Sequence, residues 1–203
     1  IGQLYIDKTN NLLWVGTSTY THACFDIKQN KFVDYTGIGD TERPYRKIKH
    51  YGSDTWMFSN TSGIRHILFH NGKFSTTDYT ADNHKLNSND IRELCEDNHH
   101  AVWAASTKGM VKISPQGKAR TFESDIEFLG CISYQDKILA FSKKNQTAYI
   151  FNSKGKLINK CVLASVMGRI GAIKGSIVWR GKWIIFTNND TFLLDINAGM
   201  FEK

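Results

Sequence analysis

Few residues of this 203-residue chain are arranged for covalent chemistry. His99 and His100 follow Asp97 closely enough to suggest a metal cluster. The run Glu96-Asp97-Asn98-His99-His100 nevertheless has the composition of a hairpin turn, where Asn, Asp and His are tolerated. The seven histidines show no i, i+4 zinc spacing. Cys24, Cys95, Cys131 and Cys161 lie far apart with no CxxC pair, which argues against a zinc site. Cys24, Cys95 and Cys131 have apolar neighbours and read as small buried residues. Spacing alone leaves three pairings open should they oxidise to two disulfides. Five hydroxyls (Thr17, Ser59, Ser106, Ser142, Thr187) recur along the chain, but a nucleophile needs a positioned base. No Ser-His-Asp set recurs, so these hydroxyls are expected to bond local backbone. Met167-Gly168-Arg169-Ile170-Gly171-Ala172 echoes a phosphate loop without its lysine-threonine end or following helix. A glycosidase needs two carboxylates facing one cleft, and Asp40, Glu42, Asp78 and Asp82 have no distinctive setting. No catalytic residue, metal or cofactor is expected.

Binding chemistry is better represented. The stretch Thr36 to Lys47 carries Arg43, Tyr45 and Arg46. The stretch Ser75 to Asp90 carries Tyr79, His84 and Lys85. Shorter connections carry Tyr20, His22, Arg65 and Lys108. Aromatic rings beside cations suit stacking on sugar faces and bonding of hydroxyls or carboxylates. Trp179-Arg180 is a further pair of this kind, although Trp179 equally suits a core strand.

Composition narrows the partners. Net charge is +7, unevenly placed: residues 1–100 hold 11 Lys/Arg against 12 Asp/Glu, and residues 101–203 hold 15 against 7. The lysines are scattered singly, as on a solvated surface, so nucleic acid is not expected as a partner. No apolar run approaches the roughly 20 residues a membrane helix needs. The sequence opens at Ile1 without an initiator Met and is expected to be a piece of something longer.

The elements that must position these loops form a repeat. Leu13-Trp14-Val15-Gly16-Thr17, Thr55-Trp56-Met57-Phe58-Ser59 and Val102-Trp103-Ala104-Ala105-Ser106 share one pattern. Ile138-Leu139-Ala140-Phe141-Ser142 and Trp183-Ile184-Ile185-Phe186-Thr187 are weaker copies. Each follows a short apolar segment ending in a polar turn. Each precedes another strand, a turn and a return strand, such as Phe69-His70-Asn71 to Gly72-Lys73-Phe74. Asn and Gly supply the positive φ of tight hairpins. The apolar runs are too short and too often broken for helices.

Four-stranded repeats of about 40–45 residues mark the blades of a β-propeller. The expected fold is therefore all-β, one propeller segment over 1–203, with blades near 1–35, 46–75, 90–122, 128–158 and 172–202. The second strand, as in Leu12-Leu13-Trp14-Val15, is apolar on both faces, which suits a blade sandwiched between neighbours. No spare strand stands at either end to complete a shared blade. The five repeats are thus expected to belong to a larger ring of about seven blades. The connections between blades and those after the second strands converge on one face of such a ring.

The third repeat carries a resemblance. Leu86-Asn87-Ser88-Asn89-Asp90-Ile91-Arg92-Glu93-Leu94-Cys95-Glu96-Asp97 leads to Ala101-Val102-Trp103-Ala104-Ala105-Ser106, then Gly109-Met110. This resembles the two-component regulator propeller repeat, with its "L-x-x-N-x-I-x-x-I-x-E-D", "W-[IV]-[GA]-T" and "G-[LI]" segments. Leu12 to Thr17 matches its core, and Trp56 with Gly63-Ile64 matches in the second repeat. The match is good over about 1–122 and weak beyond. The resemblance implies the periplasmic sensor region of a hybrid two-component system that binds, or relays the binding of, an oligosaccharide. The kinase would lie outside this chain. Other blades of the same receptor, and a second copy in a homodimer, are the further partners it implies. The remaining readings are a free-standing propeller lyase, hydrolase or lectin, and a protein-interaction scaffold.

Overall fold

The structure is a computed structural model that describes residues 3–16, 22–33, 45, 47–70, 72–142, 146–162, 173–188 and 190–202, without the side chains at 3, 22, 173, 174 and 202. The described residues form twenty strands in five four-stranded antiparallel sheets, each a meander in chain order. These are propeller-type blades. Blade 1 is β1 (Gln3–Asp7), β2 (Leu12–Gly16), β3 (His22–Asp26) and β4 (Lys31–Phe32). Blade 2 is β5 (Lys47–Tyr51), β6 (Asp54–Ser59), β7 (Gly63–His70) and β8 (Lys73–Tyr79). Blade 3 is β9 (Ile91–Glu96), β10 (Val102–Ser106), β11 (Gly109–Ile113) and β12 (Ala119–Phe122). Blade 4 is β13 (Gly130–Tyr134), β14 (Lys137–Ser142), β15 (Thr147–Asn152) and β16 (Leu157–Val162). Blade 5 is β17 (Ile173–Trp179), β18 (Lys182–Thr187), β19 (Thr191–Asp195) and β20 (Met200–Glu202). No described helix is long and apolar enough to cross a membrane.

The chain divides into two compact units, Ile1–Ile91 and Arg92–Lys203. In the first, blade 1 turns Leu12, Trp14 and Cys24 onto Ile48, Met57 and Ile67 of blade 2, with Tyr45 in the same cluster. In the second, Trp103, Ala105 and Met110 of blade 3 meet Ile138, Ala140, Tyr149 and Phe151 of blade 4. The opposite face of blade 4, with Leu139, Phe141, Ala148 and Ile150, then meets Trp183, Ile185, Phe192 and Leu194 of blade 5. Each blade thus has a forward face, carrying the tryptophan position, and a back face. Because cross-strand partners share a face, the register assigns every strand residue to one or the other.

Two-sided burial holds for β10, whose five residues are all buried, and for all but the first residue of β6 and β14. It fails for β2, the strand from which it was expected. Leu12 and Trp14 are buried there, but Leu13 and Val15 are only half-buried. The reason is positional: only the forward face of blade 1 meets another sheet in its unit. The repeat tryptophans Trp14, Trp56 and Trp103 are all core residues. All four cysteines are buried free thiols.

The first hairpins of blades 1 and 3 are each tied by an aspartate. In blade 3 the buried Asp97 accepts bonds from the backbone N–H of His99 (2.9 Å) and Ala101 (3.0 Å) at Oδ1. Its Oδ2 accepts from the Trp103 indole at 2.8 Å and lies 3.5 Å from Lys112 Nζ. Burial alone would push this carboxyl up, but the indole, the two N–H donors and the ammonium together hold it below the ordinary Asp value. Asp7 does the same work in blade 1, accepting from the Thr9 and Asn10 N–H groups. His99 and His100 are turn residues, as expected. Both are exposed, His100 has φ 59°, and the described residues hold no metal-ligating cluster.

His50 sits between blades 1 and 2. Its ring stacks on Tyr5 at 3.4 Å, its Nδ1 lies 3.0 Å from the Thr55 hydroxyl, and its Nε2 is buried. Burial pushes its pKa down to about 3. The unfolded chain takes up this proton near pH 6.5; the folded chain refuses it until about pH 3. The stabilisation is therefore complete above the unfolded value and is lost as pH falls through that window.

Two expectations follow for urea denaturation. Asp97→Ala should lower unfolding stability by about 2–4 kcal/mol, because it strands buried donors and an ammonium, whereas His99→Ala should change it by less than about 0.5 kcal/mol. The stability of the wild-type chain over His50→Asn should shrink between pH 7 and pH 4; a constant difference would show that His50 is not held neutral.

Candidate functional site

The residues expected to bind ligand divide into three groups. Tyr20, Arg43 and Arg46 lie outside the described residues, and His22 opens β3 with its side chain not described. Lys108 is exposed in the β10–β11 turn of the second unit, its N–H donating to Ser106 Oγ at 3.1 Å. Tyr45, Arg65, Tyr79 and His84 all belong to the first unit and gather at one end of blade 2.

The gathering begins with a glycine. Gly63 opens β7 at φ 76°, where an added Cβ would lie 2.4 Å from the Tyr79 carbonyl oxygen. Only glycine lets β7 start this close to the end of β8. Gly109 meets the Phe122 carbonyl in the same way at the start of β11, which explains the glycine of the repeat motif. Two residues along β7, Arg65 stands directly opposite Asp78 in the register. Its Nε and one terminal nitrogen donate to Oδ1 and Oδ2 of Asp78 at 2.7 and 2.8 Å. The guanidinium carbon lies 5.2 Å from the centre of the Tyr45 ring. This is a planar two-pronged ion pair in which the Arg65 side chain is 6% exposed and Asp78 28%.

Beyond β8 the chain folds into a compact loop. Thr80 and Asn83 cap each other: Asn83 Oδ1 accepts the Thr80 N–H and Thr80 Oγ1 accepts the Asn83 N–H, both at 3.1 Å. Asn89 Oδ1 accepts the Ala81 N–H at 2.7 Å, and the Asn89 carbonyl accepts the Gly63 N–H at 2.9 Å. The tip presents Asp82, Asn83, His84 and Lys85, all exposed, with His84 in the left-handed region at φ 60°. Lys85 Nζ bonds the Asp78 carbonyl at 3.2 Å and sits 4.9 Å over the Tyr79 ring.

Two expectations are corrected by this arrangement. Tyr79 is the last residue of β8 and 1% exposed, because the strand continues through Thr76 and Thr77 where a loop was expected. Tyr45 is 4% exposed and packs in the core between blades 1 and 2. Neither ring is open to a sugar face. Arg65 is likewise committed to Asp78. What remains accessible is the polar tip 82–85, and Asn83 is its unanticipated member; its local signal was the Thr-x-x-Asn spacing of a mutual cap. Three of the recurring hydroxyls bond local backbone as expected, whereas the buried Ser142 Oγ has no hydrogen-bond partner among the described residues and Thr17 lies outside them. Ser59 accepts backbone N–H groups of its turn, Ser106 donates to the Gly109 carbonyl, and Thr187 donates to the Asp190 carbonyl. Trp179 is exposed, with the Arg180 guanidinium 4.6 Å over its ring.

No known family profile matches the chain, and no curated protein matches it. Solved structures do. One is the extracellular domain of BT4673 from B. thetaiotaomicron, described as a hybrid two component system: TM-score 0.71 and 18% identity over 100% of this chain and 29% of that one. Another is the extracellular domain of BT3049 from the same organism, described in the same terms: TM-score 0.58 and 19% identity over 98% of this chain and 27% of that one. Virginiamycin B lyase from Staphylococcus aureus matches with TM-score 0.68 and 12% identity over 98% of this chain and 67% of the lyase. The chain spans less than a third of the two extracellular domains. At such identities the likeness establishes the fold: an all-β protein of propeller blades.

Arg65→Ala should cost about 3–5 kcal/mol in chemical denaturation, since Asp78 would keep its place without its partner. Lys85→Ala should leave stability within about 0.5 kcal/mol. Equal costs for the two would mean that the ion pair does not hold this end of blade 2 together.

Proposed function

We propose that the chain is a segment of the extracytoplasmic propeller of a hybrid two-component sensor, non-enzymatic in itself. It binds an oligosaccharide, or relays that binding, to a histidine kinase encoded outside this sequence. Its location is then the periplasm. The observation that carries the reading is the match of all five blades to the extracellular domains of two proteins described as such sensors. The motif resemblance over about 1–122 supports it independently. The exposed Asp82, Asn83, His84 and Lys85 supply the donors and acceptors that sugar hydroxyls or carboxylates require. Tyr20, His22, Arg43, Arg46 and Lys108, singled out from the sequence, are further proposed ligand contacts. A bound sugar alters the kinase only through its different affinity for two arrangements of the receptor.

The likeness to virginiamycin B lyase is the one observation that favours an enzyme instead. Its discriminating result is product: a glycan cleaved by the purified protein.

The test is calorimetric titration of oligosaccharides into the native ectodomain that contains this sequence. A double variant, His84→Ala with Lys85→Ala, should weaken binding by about tenfold, or 1.4 kcal/mol, at an unchanged melting temperature. Unchanged affinity removes the 82–85 tip from the site. An ectodomain that binds no glycan in a broad panel sinks the sensing reading as stated.

A further inference from the structure

The sequence scatters its lysines singly, but the fold gathers several of them at one seam of the second unit. Lys112 stands directly opposite Arg120 in the β11–β12 register, on the face of blade 3 that meets blade 4. Like charges so placed repel. Lys112 is balanced: its Nζ lies 3.5 Å from Asp97 Oδ2 and bonds the Ser153 carbonyl of blade 4. Arg120 is not. Its guanidinium carbon lies 5.0 Å from the centre of the Phe122 ring, and it has no carboxylate partner among the described residues. The β15–β16 turn of blade 4 lies against the same ring, where a Cβ added at Gly155 would collide with it. That turn is fixed by Asn152 Oδ1, which accepts the N–H groups of Lys154 at 3.1 Å and Lys156 at 2.9 Å. Both lysine side chains are exposed, as is Lys118 two residues before Arg120. Lys160 of β16 lies 3.8 Å from Glu123. Asp97 and Glu123 are thus already matched, by Lys112 and Lys160. Lys118, Arg120, Lys154 and Lys156 are matched by no described carboxylate.

We propose that this seam, Arg120 and Phe122 of blade 3 with the 152–156 turn of blade 4, binds an acidic polysaccharide chain through its carboxylate or sulfate groups. The Arg120 guanidinium is held on the Phe122 ring, so its planar fork is set in place. Its N–H donors are free to grip a carboxylate or sulfate with two parallel bonds. Lys118, Lys154 and Lys156 are point charges on turns of two blades, which suits a linear polyanion laid across the seam over a single small anion. Phe122 argues against the other polyanions. It is half-buried, stacked on Trp103 at 5.6 Å and contacted by Arg120 and Gly155. It offers no open face to stack a base and no protruding ring to enter a bilayer. The four unmatched cations repel one another, and an anionic ligand offsets a repulsion that no described carboxylate does. The seam shares no residue with the 82–85 tip, and the inference does not need that tip to bind anything.

The test is titration of polygalacturonate and of dextran sulfate into the native ectodomain that contains this sequence, at about 0.05 M and 0.2 M salt. At least one of the two should bind, more weakly at the higher salt, and neutral dextran should not compete. Arg120→Ala with Lys154→Ala should weaken that binding by about tenfold and flatten its salt dependence. Lys28→Ala with Lys73→Ala removes the same charge from exposed sites in the first unit and should change the affinity by less than about twofold. All four side chains are exposed, so melting temperatures should not move. Failure of both acidic polysaccharides to bind overturns the proposal, as does competition by dextran. Equal losses in the two double variants also overturn it, because net charge alone would then be acting. So does tighter binding of phosphatidylglycerol vesicles or single-stranded DNA than of either polysaccharide. The sensing reading fails on a different result, the His84→Ala, Lys85→Ala titration, so the two can be told apart.

Discussion

Face-to-face stacking of two-sided apolar sheets is the constraint on which everything else here depends. A four-stranded meander with apolar side chains on both faces cannot be stable alone, since either face would cost its full hydration in water. Blade 4 shows the solved case: Ile138 and Ala140 look back to blade 3, and Leu139 and Phe141 look forward to blade 5. A shift of register by one residue would exchange these two sets. The hairpins therefore have to be exact in length, which is why their chemistry is so local and so repetitive.

In three hairpins that local chemistry is acidic, and in the last hairpin of blade 4 Asn152 does the same. Asp7, Asp97 and Asp195 each collect backbone N–H groups of the turn that follows. Asp97 goes further by bonding the indole of the tryptophan its own hairpin introduces. Turn and core are thereby a single hydrogen-bonded object, and the Glu-Asp of the repeat is a structural signature. The two motif glycines serve the same end, letting β7 and β11 start beneath the carbonyls of Tyr79 and Phe122.

The candidate site is what this scaffold leaves over. At the end of blade 2 the aromatic rings of Tyr45 and Tyr79 and the charge of Arg65 are taken up by packing and by Asp78. A cation held over a ring and bonded to a carboxylate is a rigid strut. It fixes the base of a loop whose exposed tip, Asp82 to Lys85, has the hydroxyl-matching groups. Rigid support under a polar, solvent-facing loop is the arrangement that binding sites on β scaffolds use.

The sequence by itself determined the unit of the structure. Its recurring tryptophan position, hydroxyl column and Asn/Gly turns are short-range features, and each acts within a single hairpin, so four-stranded blades were legible before any coordinates. The buried thiols, the turn role of His99 and His100 and the backbone-bound hydroxyls of Ser59, Ser106 and Thr187 were legible for the same reason. Which faces are covered was decided only in three dimensions. Leu13 and Phe141 both sit in apolar second strands, yet one is half-buried and the other wholly buried, because coverage depends on a neighbouring blade tens of residues away. The site diverged on the same ground. Tyr45, Arg65 and Tyr79 have the composition of a ligand site, but a buried ring and an exposed one share one letter. Only the stacking of the sheets determines which of them meets solvent.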